Sequence, residues 1–406
     1  MRRRHLLALA PAAALAACTS PEEDPASPGS DGGGAAPSDG GDGGTAPSDG
    51  DPSDGEEPTT TAPPSAAEQL LEGLSPREIA GQLVLVGIAA GSEIPPATFE
   101  EHHAGGIFLL QVWEGAEQVD AVVDSALALA RPELPPLLAV DQEGGRVRML
   151  RGDAARETAS AEALGAEGPQ AVADAYTSIG EDLSARGLHV ALSPVADVVD
   201  PELGDANEPV GGLDRGFGTD PEQVADCVTA AVEALSEQGI GATLKHFPGL
   251  GRVEQNTDFS AEGIEDGTTG PEDPFLESFR AGIDAGAQLV MMSSAIYPRI
   301  EPDVPAMFSS AAIEELLRGG LGFEGLVVTD DIGAAKAVAD VPVPERATRL
   351  LEAGGDAVLT ADPTLTGQLV DAIEEWAGRG EEQERRVRES AGRMLALKES
   401  LGLLEG

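Results

Sequence analysis

Short apolar segments alternate with longer amphipathic segments along the chain from about residue 68 onward. Eight of the short segments have the length and composition of buried strands: 83–87, 106–110, 137–140, 190–194, 242–244, 289–292, 326–328 and 357–359. Between them lie segments of helical period, such as 171–186, 222–238 and 274–285. Repeated strand and helix units of this kind build a parallel sheet covered by helices. They predict an α/β fold, a TIM-type (β/α)8 barrel, with a doubly wound open sheet as the alternative because spacing does not define strand order.

Two further helical segments, 364–380 and 381–404, follow the eighth apolar segment. The second carries apolar residues at spacings of three and four: Val387, Ala391, Met394, Leu397 and Leu401. This spacing places them on one face of a helix, which we expect to pack on the barrel. We expect no second catalytic domain after it, so residues 67–406 are predicted to form a single folded domain.

The N-terminal residues have the composition of an export signal. Three arginines at positions 2–4 precede an apolar stretch, 6–17, that is too short to span a bilayer as a helix. The sequence Leu15-Ala16-Ala17-Cys18 resembles a bacterial lipobox, in which the cysteine is lipidated and becomes the new N-terminus. We therefore expect residues 1–17 to be a lipoprotein signal peptide and Cys18 to anchor the protein in a membrane of the cell envelope, outside the cytoplasm. An ordinary secretory signal cleaved near Ala17 is the alternative.

A linker is predicted between this signal and the folded domain. Residues 18–66 are mainly Gly, Ser, Pro, Asp and Thr, with almost no large apolar side chain. Such a segment cannot bury enough surface to offset the entropy of ordering it, so we expect it to be a disordered tether.

Charge and cysteine content narrow the classes of partner. The net charge of −47 leaves no basic face for nucleic acid, so no nucleic-acid partner is predicted. The chain has two cysteines, Cys18 and Cys227. Lipidation of Cys18 would leave Cys227 without a partner, so no disulfide within the chain is expected. Cys227 lies in an Ala/Val-rich helical pattern and is expected to be a small core residue.

Polar residues stand at the carboxyl ends of five of the predicted strands: Asp141, Asp197, Lys245 with His246, Ser293 with Ser294, and Asp330 with Asp331. In a parallel barrel these ends meet at one mouth, where active sites are found. Neighbouring strand residues point to opposite sides, so only one of Asp330 and Asp331 is expected to face the mouth squarely.

A carboxylate at that mouth suits nucleophilic chemistry on a sugar. We expect Asp330, beside Lys245 and Arg146 or Arg148, to stay ionised because nearby cations favour its charged form. An anion there both attacks an anomeric carbon and stabilises the positive charge of the transition state.

The same rim residues could support two other chemistries. Oxygen ligands for Mg²⁺ or Ca²⁺ are available from Asp141, Glu143, Asp197 and Asp330, but the basic residues of the same rim disfavour a cation, so neither a metal nor another cofactor is predicted. A Schiff-base lyase would use Lys245 as the nucleophile, which requires a lowered lysine pKa that the neighbouring acids oppose.

Five motifs together resemble glycoside hydrolase family 3, and in particular its single-domain bacterial β-N-acetylglucosaminidases. They stand in the family's order: DQEGGRV at 141–147, SPVADV at 193–198, RGFGTDP at 215–221, KHFPGLG at 245–251 and VTDD at 328–331. The resemblance covers nearly all of residues 67–406. It implies a metal-free TIM-type barrel that acts on a carbohydrate substrate, the terminal N-acetylglucosamine of cell-wall or related glycans, and no protein partner is evident.

The resemblance also implies roles for individual residues. Asp330 would form a glycosyl-enzyme intermediate in a retaining mechanism, and Asp141, Arg215, Lys245 and His246 would hydrogen-bond the terminal sugar. Arg146 and Arg148 join the predicted substrate-binding residues, although the family's Arg-Val-x-Arg pattern has its second arginine one position later than Arg148.

The loop after Pro248 departs from the family pattern. In those glucosaminidases it carries Asp-Ser-His, whose His is the general acid/base, whereas this chain has Asn256-Thr257-Asp258 at the corresponding positions and no histidine on the loop. We predict that Asp258 is the acid/base, which requires surroundings that raise its pKa. Glu254 or Glu262 in that role, or a non-catalytic sugar-binding protein, are the alternatives.

Overall fold

A closed barrel of eight parallel strands forms the centre of the protein. The structure, a computed structural model, describes residues 64–404. Its barrel strands are β1 Val84–Ala89, β2 Gly106–Leu110, β3 Leu137–Val140, β4 Val190–Ala191, β5 Gly241–Phe247, β6 Leu289–Met292, β7 Leu326–Asp331 and β8 Ala357–Thr360. Each strand pairs with its neighbours in chain order, and β1 closes on β8 through the pair Val84 and Val358. The barrel prediction is confirmed, and the open sheet is wrong.

Helices surround the barrel and join its strands. The α-helices are α1 Ala66–Gly73, α2 Pro76–Gly81, α3 Ala97–Glu100, α4 Ala116–Leu129, α5 Ala161–Glu167, α6 Pro169–Ala185, α7 Pro221–Glu237, α8 Glu277–Asp284, α9 Val343–Glu352, α10 Thr366–Ala377 and α11 Glu381–Ser400. A π-helix, Ala311–Gly320, joins β6 to β7. None of the helices within residues 64–404 is both long enough and apolar enough to cross a bilayer.

Local sequence explains where several helices begin. Ser65 and Ser75 cap α1 and α2. In each case the serine hydroxyl accepts the N–H of the glutamate three residues later, and the carboxylate of that glutamate accepts the N–H of the serine. Two N–H groups at the start of each helix are thereby paired. Asp220 caps α7, whose first residue is Pro221. Cys227 lies fully buried within α7, as predicted.

Two short hairpins and six 3₁₀ turns complete the secondary structure of residues 64–404. The hairpins pair Gln142–Gly144 with Val147–Arg148, after β3, and Ile296–Tyr297 with Glu301–Pro305, after β6. The 3₁₀ turns are Gly204–Ala206, Gly211–Leu213, Pro274–Leu276, Ala306–Phe308, Lys336–Val338 and Pro363–Leu365.

The last helix, α11, covers the amino-terminal end of the barrel. Met394 and Leu397 join the cluster of buried side chains that fills the barrel interior, together with residues at the strand beginnings such as Leu137 and Leu326. Val387 and Ala391 of the same face are also buried, and Leu401 packs on the cluster partly buried. The predicted amphipathic helix is therefore confirmed, and it forms the floor of the barrel.

A buried ion cluster ties this floor to the strands. Asp356, which precedes β8, is fully buried and accepts hydrogen bonds from Arg318 at 2.7 Å, Arg386 at 3.1 Å and Arg393 at 2.9 Å. The main-chain N–H of Val327 in β7 also donates to it, at 2.9 Å. Asp356 thus joins the π-helix, α11 and two neighbouring strands.

The predicted signal peptide 1–17, Cys18 and nearly all of the predicted linker 18–66 lie outside the described residues.

Candidate active site

A cavity of about 640 Å³ opens at the carboxyl ends of the barrel strands. Its volume lies in the range of small-molecule sites. Six of the eight residues that the sequence analysis assigned to catalysis or sugar binding line it: Asp141, Arg215, Lys245, His246, Asp258 and Asp330. Residues far apart in the chain are therefore brought to one mouth, as the barrel prediction requires.

The segment from Lys245 to Gly251 enters this cavity as the end of β5 and then turns sharply. Cis peptide bonds join Lys245 to His246 and Phe247 to Pro248. Gly249 has φ 130°, a conformation that side chains with a Cβ rarely adopt. At Gly251 a Cβ would overlap the main-chain oxygen of Val198. These two glycines let the loop leave the barrel while it stays packed against the end of the preceding unit.

A buried carboxylate, Glu143, holds two of the predicted sugar-binding cations in place. It is 2% exposed and accepts two hydrogen bonds from Arg215, both at 2.8 Å, and it lies 2.6 Å from the Lys245 ammonium. Lys245 also contacts Asp141 at 2.5 Å. Burial raises the pKa of Glu143, but Arg215 and Lys245 outweigh burial and lower it to about 2. Glu143 is therefore ionised across the physiological pH range.

The same network keeps Lys245 charged. Burial lowers the pKa of Lys245, but the carboxylates of Asp141 and Glu143 outweigh burial, so its pKa is raised. A protonated amine is not a nucleophile, which counts against the Schiff-base chemistry.

Asp197 fixes the position of His246. It is fully buried, and its Oδ2 lies 2.8 Å from His246 Nδ1. Its Oδ1 accepts the main-chain N–H groups of His246 and Leu250, each at 2.9 Å. A carboxylate at Nδ1 favours the tautomer with hydrogen on that nitrogen, so Nε2 is the acceptor nitrogen, and Arg215 Nη2 lies 3.5 Å from it.

The two acids at the end of β7 differ in their partners. Asp331 accepts main-chain N–H groups from Gly333, Ala334 and Ala361, at 2.7 to 2.9 Å. Asp330 accepts a single described hydrogen bond, from the N–H of Asp331 at 2.8 Å. Both side chains line the cavity, but backbone contacts hold both oxygens of Asp331, so Asp330 is the carboxylate that can react with a ligand.

Asp258 lies on the loop between β5 and α8, where Asn256 shapes the turn. The Asn256 side-chain oxygen accepts the N–H of Asp258 at 2.9 Å, and the main-chain oxygen of Asp258 accepts the N–H of Lys336 at 3.2 Å. Burial by the surrounding protein raises the pKa of Asp258 to about 6, the charge of Asp330 contributes to the rise, and His246 opposes it. Water still reaches the carboxyl group through the open mouth.

The position of Asp258 separates it from the two alternative proton donors. All three residues are exposed, but Asp258 lines the cavity and Glu254 and Glu262 do not. Of the three carboxyl groups considered on this loop, Asp258 is therefore the one placed to act on a ligand.

Two of the predicted sugar-binding residues, Arg146 and Arg148, lie elsewhere. Arg146 is exposed and pairs with Asp214 at 3.0 Å, and Arg148 pairs with Glu157 at 3.1 Å. Both belong to the hairpin after β3, in which Val147 and Met149 line the cavity. Side chains alternate along a strand, so Arg146 and Arg148, which stand on either side of Val147, point away. Their placement near Asp330 was wrong.

Ser293 and Ser294 are also buried outside the cavity lining. Ser293 accepts a hydrogen bond from the Tyr297 hydroxyl at 3.1 Å and another from the N–H of Ala295 at 2.9 Å. Ser293 and Ser294 therefore do not belong to the polar rim that was predicted at the mouth.

Sequence reasoning considered Glu143 and Asp197 only as possible metal ligands or rim residues, and missed their positioning roles. The sequence did contain a signal for these positioning roles, because two buried cations and an imidazole at one barrel mouth need carboxylate partners. Within residues 64–404 no group of three or more His, Cys, Asp or Glu side chains is arranged to hold a metal ion. Three of the four acids proposed as metal ligands, Asp141, Glu143 and Asp197, instead contact Lys245, Arg215 and His246.

The chain matches the model of the glycosyl hydrolase family 3 N-terminal domain over residues 77–397. It is 37% identical over 303 residues to a beta-hexosaminidase of Xanthomonas campestris, a match that covers 72% of this chain and 88% of that one.

Solved structures agree with this match. A beta-N-acetylhexosaminidase from Beutenbergia cavernae is 40% identical with a TM-score of 0.78, over 80% of this chain and 99% of that one. A family 3 beta-N-acetylglucosaminidase from Paenibacillus is 30% identical with a TM-score of 0.71, over 82% of this chain and 64% of that one. The chain, with its eight-stranded barrel and its acidic mouth, therefore belongs to glycosyl hydrolase family 3.

Proposed function

We propose that the protein is a retaining exo-β-N-acetylhexosaminidase that removes terminal N-acetylglucosamine from cell-wall or related glycans. The names of its relatives support this substrate class. One observation carries the proposal: Asp330 and Asp258 line the same cavity as three side chains that can bind sugar hydroxyls, Arg215, Lys245 and His246.

Binding would place the terminal sugar at the bottom of the cavity. Arg215 and Lys245 are held as charged donors by Glu143, so they are oriented before the substrate arrives. A substrate that lacks a hydroxyl would leave these donors unpaired, which is costly, so the site should discriminate strongly between sugars. Side chains fill the barrel below the mouth, so a glycan cannot pass through the barrel, which favours binding of a chain end.

In the first step the Asp330 carboxylate attacks the anomeric carbon. A bond forms between that carbon and a carboxylate oxygen, while the bond to the glycosidic oxygen breaks. The carboxyl group of Asp258 gives its proton to that oxygen, which leaves as the hydroxyl group of the remaining glycan.

In the second step the Asp258 carboxylate takes a proton from water. The resulting hydroxide attacks the anomeric carbon from the side that the leaving group vacated, and the bond to Asp330 breaks. Two displacements return the sugar with its original β configuration.

The test is the release of chromophore from an aryl N-acetyl-β-glucosaminide, with Asp330→Asn as the control. We expect release by the wild type and a loss of several orders of magnitude in the variant. A fluorinated N-acetylglucosaminide should trap the sugar on Asp330, which mass spectrometry of the peptides would locate. No release above the control would remove the activity, and sugar binding by calorimetry without turnover of highly activated substrates would identify a non-catalytic sugar-binding protein instead.

We also propose that Cys18 carries a lipid that anchors the protein in a membrane of the cell envelope, outside the cytoplasm. The basic residues 2–4, the short apolar stretch and the Leu15-Ala16-Ala17-Cys18 sequence support this. Cys18→Ala should move the protein from the membrane fraction to the soluble fraction and abolish labelling by a radioactive fatty acid. Equal membrane association of the variant and the wild type would contradict the anchor.

A further inference from the structure

Asn207 is a fully buried amide whose side-chain hydrogen bonds all go to the main chain. It lies in the loop between β4 and α7, directly after the 3₁₀ turn Gly204–Ala206. Its side-chain nitrogen donates to the main-chain oxygens of Leu250 at 2.7 Å and Val253 at 2.6 Å. Its side-chain oxygen accepts the N–H of Gly211 at 2.8 Å. Both N–H groups and the oxygen of the amide are thus used, and they join two loops that are distant in the sequence.

Two of these bonds fix the turn at which the loop of Asp258 begins. The N–H of Val253 donates to the main-chain oxygen of Leu250 at 3.1 Å, which closes a turn over residues 250–253. Asn207 binds the carbonyl oxygen at each end of that turn, and both of these end residues are buried. A buried carbonyl oxygen that loses its donor is costly, so removal of the amide would displace the turn.

The segment that follows this turn has little regular structure to hold it. Residues 248–273, all of which the structure describes, form neither a helix nor a strand beyond the isolated bridge of Glu265 with Ile296. A loop of this kind has no continuous ladder of main-chain bonds, so individual contacts decide where it lies. The position of Asp258 therefore depends on the anchors of its loop.

Glu208 extends the attachment towards the proposed proton donor. Its main-chain N–H donates to the oxygen of Glu254 at 3.1 Å, and its carboxylate accepts the N–H of Asn256 at 3.3 Å. The side-chain oxygen of Asn256 in turn accepts the N–H of Asp258 at 2.9 Å. Glu208 is exposed, so water competes for its carboxylate, whereas the bonds of Asn207 are shielded from water. Asn207 is therefore the stronger of the two anchors.

The cations proposed to bind the sugar are held mainly by other contacts. Arg215 donates twice to Glu143, both times at 2.8 Å, and once to the main-chain oxygen of Pro209 at 2.9 Å. Lys245 lies on β5 and pairs with the same carboxylate at 2.6 Å. A change at Asn207 should therefore move the proton donor and leave the sugar-binding cations in place.

We infer that Asn207 is a positioning residue for proton transfer, which holds Asp258 within reach of the glycosidic oxygen by binding the carbonyl oxygens of Leu250 and Val253. Asn207 does not line the cavity, so it acts through the main chain and touches no substrate. A displacement of about 1 Å in a catalytic group can lower a rate by about a hundredfold, so a remote anchor of this kind has a measurable effect. This inference rests on the proposed function, in which Asp258 is the acid/base.

The experiment compares two substrates that differ in their need for a proton. The leaving group of N,N′-diacetylchitobiose must be protonated, whereas that of 2,4-dinitrophenyl N-acetyl-β-glucosaminide leaves without a proton. Asn207→Asp has the same shape and keeps an acceptor for Gly211, but it replaces the two N–H donors by an oxygen that faces carbonyl oxygens. Asn207→Ala removes the amide without adding a charge.

We expect both variants to lower kcat/KM for the disaccharide by about 10- to 100-fold, and that for the dinitrophenyl substrate by no more than about threefold. The loss for the disaccharide should appear in kcat rather than in KM, because the sugar-binding cations keep their contacts. In Asn207→Ala the fall of kcat/KM with pH should begin at a lower pH than in the wild type. A displaced Asp258 would lose part of the burial that raises its pKa.

Gln82→Ala is the matched control. Gln82 is also a buried amide, but it lies at the floor of the barrel, where it bonds to the main-chain oxygen of His103 at 2.9 Å and to Lys398 at 2.6 Å. Its loss should lower the free energy of unfolding and leave the ratio of kcat/KM for the two substrates at the wild-type value. Glu208→Ala, a change at an exposed position, should give a smaller loss that is again confined to the disaccharide.

The inference is overturned if folded Asn207 variants lose activity equally on both substrates, if they lose none, or if Gln82→Ala shows the same selective loss. Circular dichroism shows whether the Asn207 variants fold, and if they do not, a wild-type ratio in Glu208→Ala overturns the inference. No turnover of the dinitrophenyl substrate by the wild type would instead remove the proposed function. Turnover by the wild type together with an unchanged ratio in the variants separates the two failures.

Discussion

At the scale of single residues, the cavity gives similar carboxyl groups different properties. Glu143 lies against two cations, so its pKa falls to about 2, whereas burial by the surrounding protein and the nearby charge of Asp330 raise the pKa of Asp258 to about 6. Environments that separate the pKa values of neighbouring acids are the usual basis for assigning a proton donor and a charged group. The two acids therefore suit different tasks, one holding donors in place and one transferring a proton.

The pH dependence of the first step should follow Asp258. The step needs the protonated acid, which predominates below its pKa of about 6, so kcat/KM for a disaccharide should fall by about tenfold per pH unit above that value. A pH profile between 5 and 8, measured with N,N′-diacetylchitobiose, tests this. A rate that stays constant up to pH 8 would remove Asp258 from the role.

Asp258→Asn should separate leaving groups by their need for a proton. We expect kcat/KM for the disaccharide to fall by about 10² to 10⁴, the usual contribution of general acid catalysis, and a much smaller loss for 2,4-dinitrophenyl N-acetyl-β-glucosaminide. Glu262→Gln, on the same loop but outside the cavity, is the matched control. Equal losses on both substrates would indicate a binding or folding defect instead.

Glu143→Gln should weaken the site and the fold together. The change leaves Arg215 and Lys245 without their shared carboxylate, and breaking a buried ion pair costs about 3 to 5 kcal/mol of stability. Denaturant unfolding measures the loss, and kcat/KM should also fall because both donors lose their orientation. Glu157→Gln, whose partner Arg148 lies outside the cavity, should change neither by a comparable amount.

At the scale of elements, the pattern of apolar residues predicted which segments form strands. It was less accurate about the residues at which those strands end. The prediction for β5 stopped at Leu244, but the strand continues through Phe247, because main-chain pairing with β6 persists where the side chains become polar. The prediction for 190–194 was too long, and β4 ends at Ala191, before the cis bond that joins Ser193 to Pro194. Pro194 has no N–H to donate to a neighbouring strand.

The direction in which side chains point was also hard to predict within short elements. Arg146 and Arg148 belong to a two-residue strand and its turn, and neither length nor composition reveals that this hairpin exists or which face it turns to the cavity. By contrast, Asp330 and Lys245 end long barrel strands, whose carboxyl ends must meet at the mouth. The barrel topology therefore made the second pair predictable and left the first pair open.

Lys398 in α11 should be a source of instability. It is fully buried, and its described partner is the neutral side chain of Gln82, at 2.6 Å. Burial lowers the pKa of Lys398 to about 7, below its unfolded value of about 10.4. Between these values the unfolded chain binds more protons, so this group makes stability rise with pH in that window.

Lys398→Met should therefore stabilise the protein most at and below pH 7, by on the order of 2 to 4 kcal/mol, and much less near pH 10. Thermal or urea unfolding at pH 7 and pH 9.5 measures the two gains. An Arg385→Met variant, on the exposed side of the same helix, controls for general effects of a charge removed from α11. A Lys398→Met protein that is less stable than the wild type at both pH values would contradict this account.

At the scale of the whole molecule, the described part of the chain contains every component of the proposed reaction. All eight barrel strands, the floor helix and the lining of the cavity lie between residues 64 and 404. A variant that lacks residues 1–63 should therefore fold and release chromophore with the wild-type kcat/KM. Far-UV circular dichroism and the aryl substrate test this, and loss of the fold would show that the preceding residues contribute to the barrel.

The floor of the barrel has a consequence for how the protein is made. Strand β1 pairs with β8, and the opening beneath them is sealed by α11, the final helix. A chain still emerging from the ribosome or from an export channel cannot shut its interior until that helix has appeared. Loss of the last twenty or so residues should therefore leave an otherwise complete ring of strands open to water and to proteases, even though the catalytic mouth lies at the opposite end.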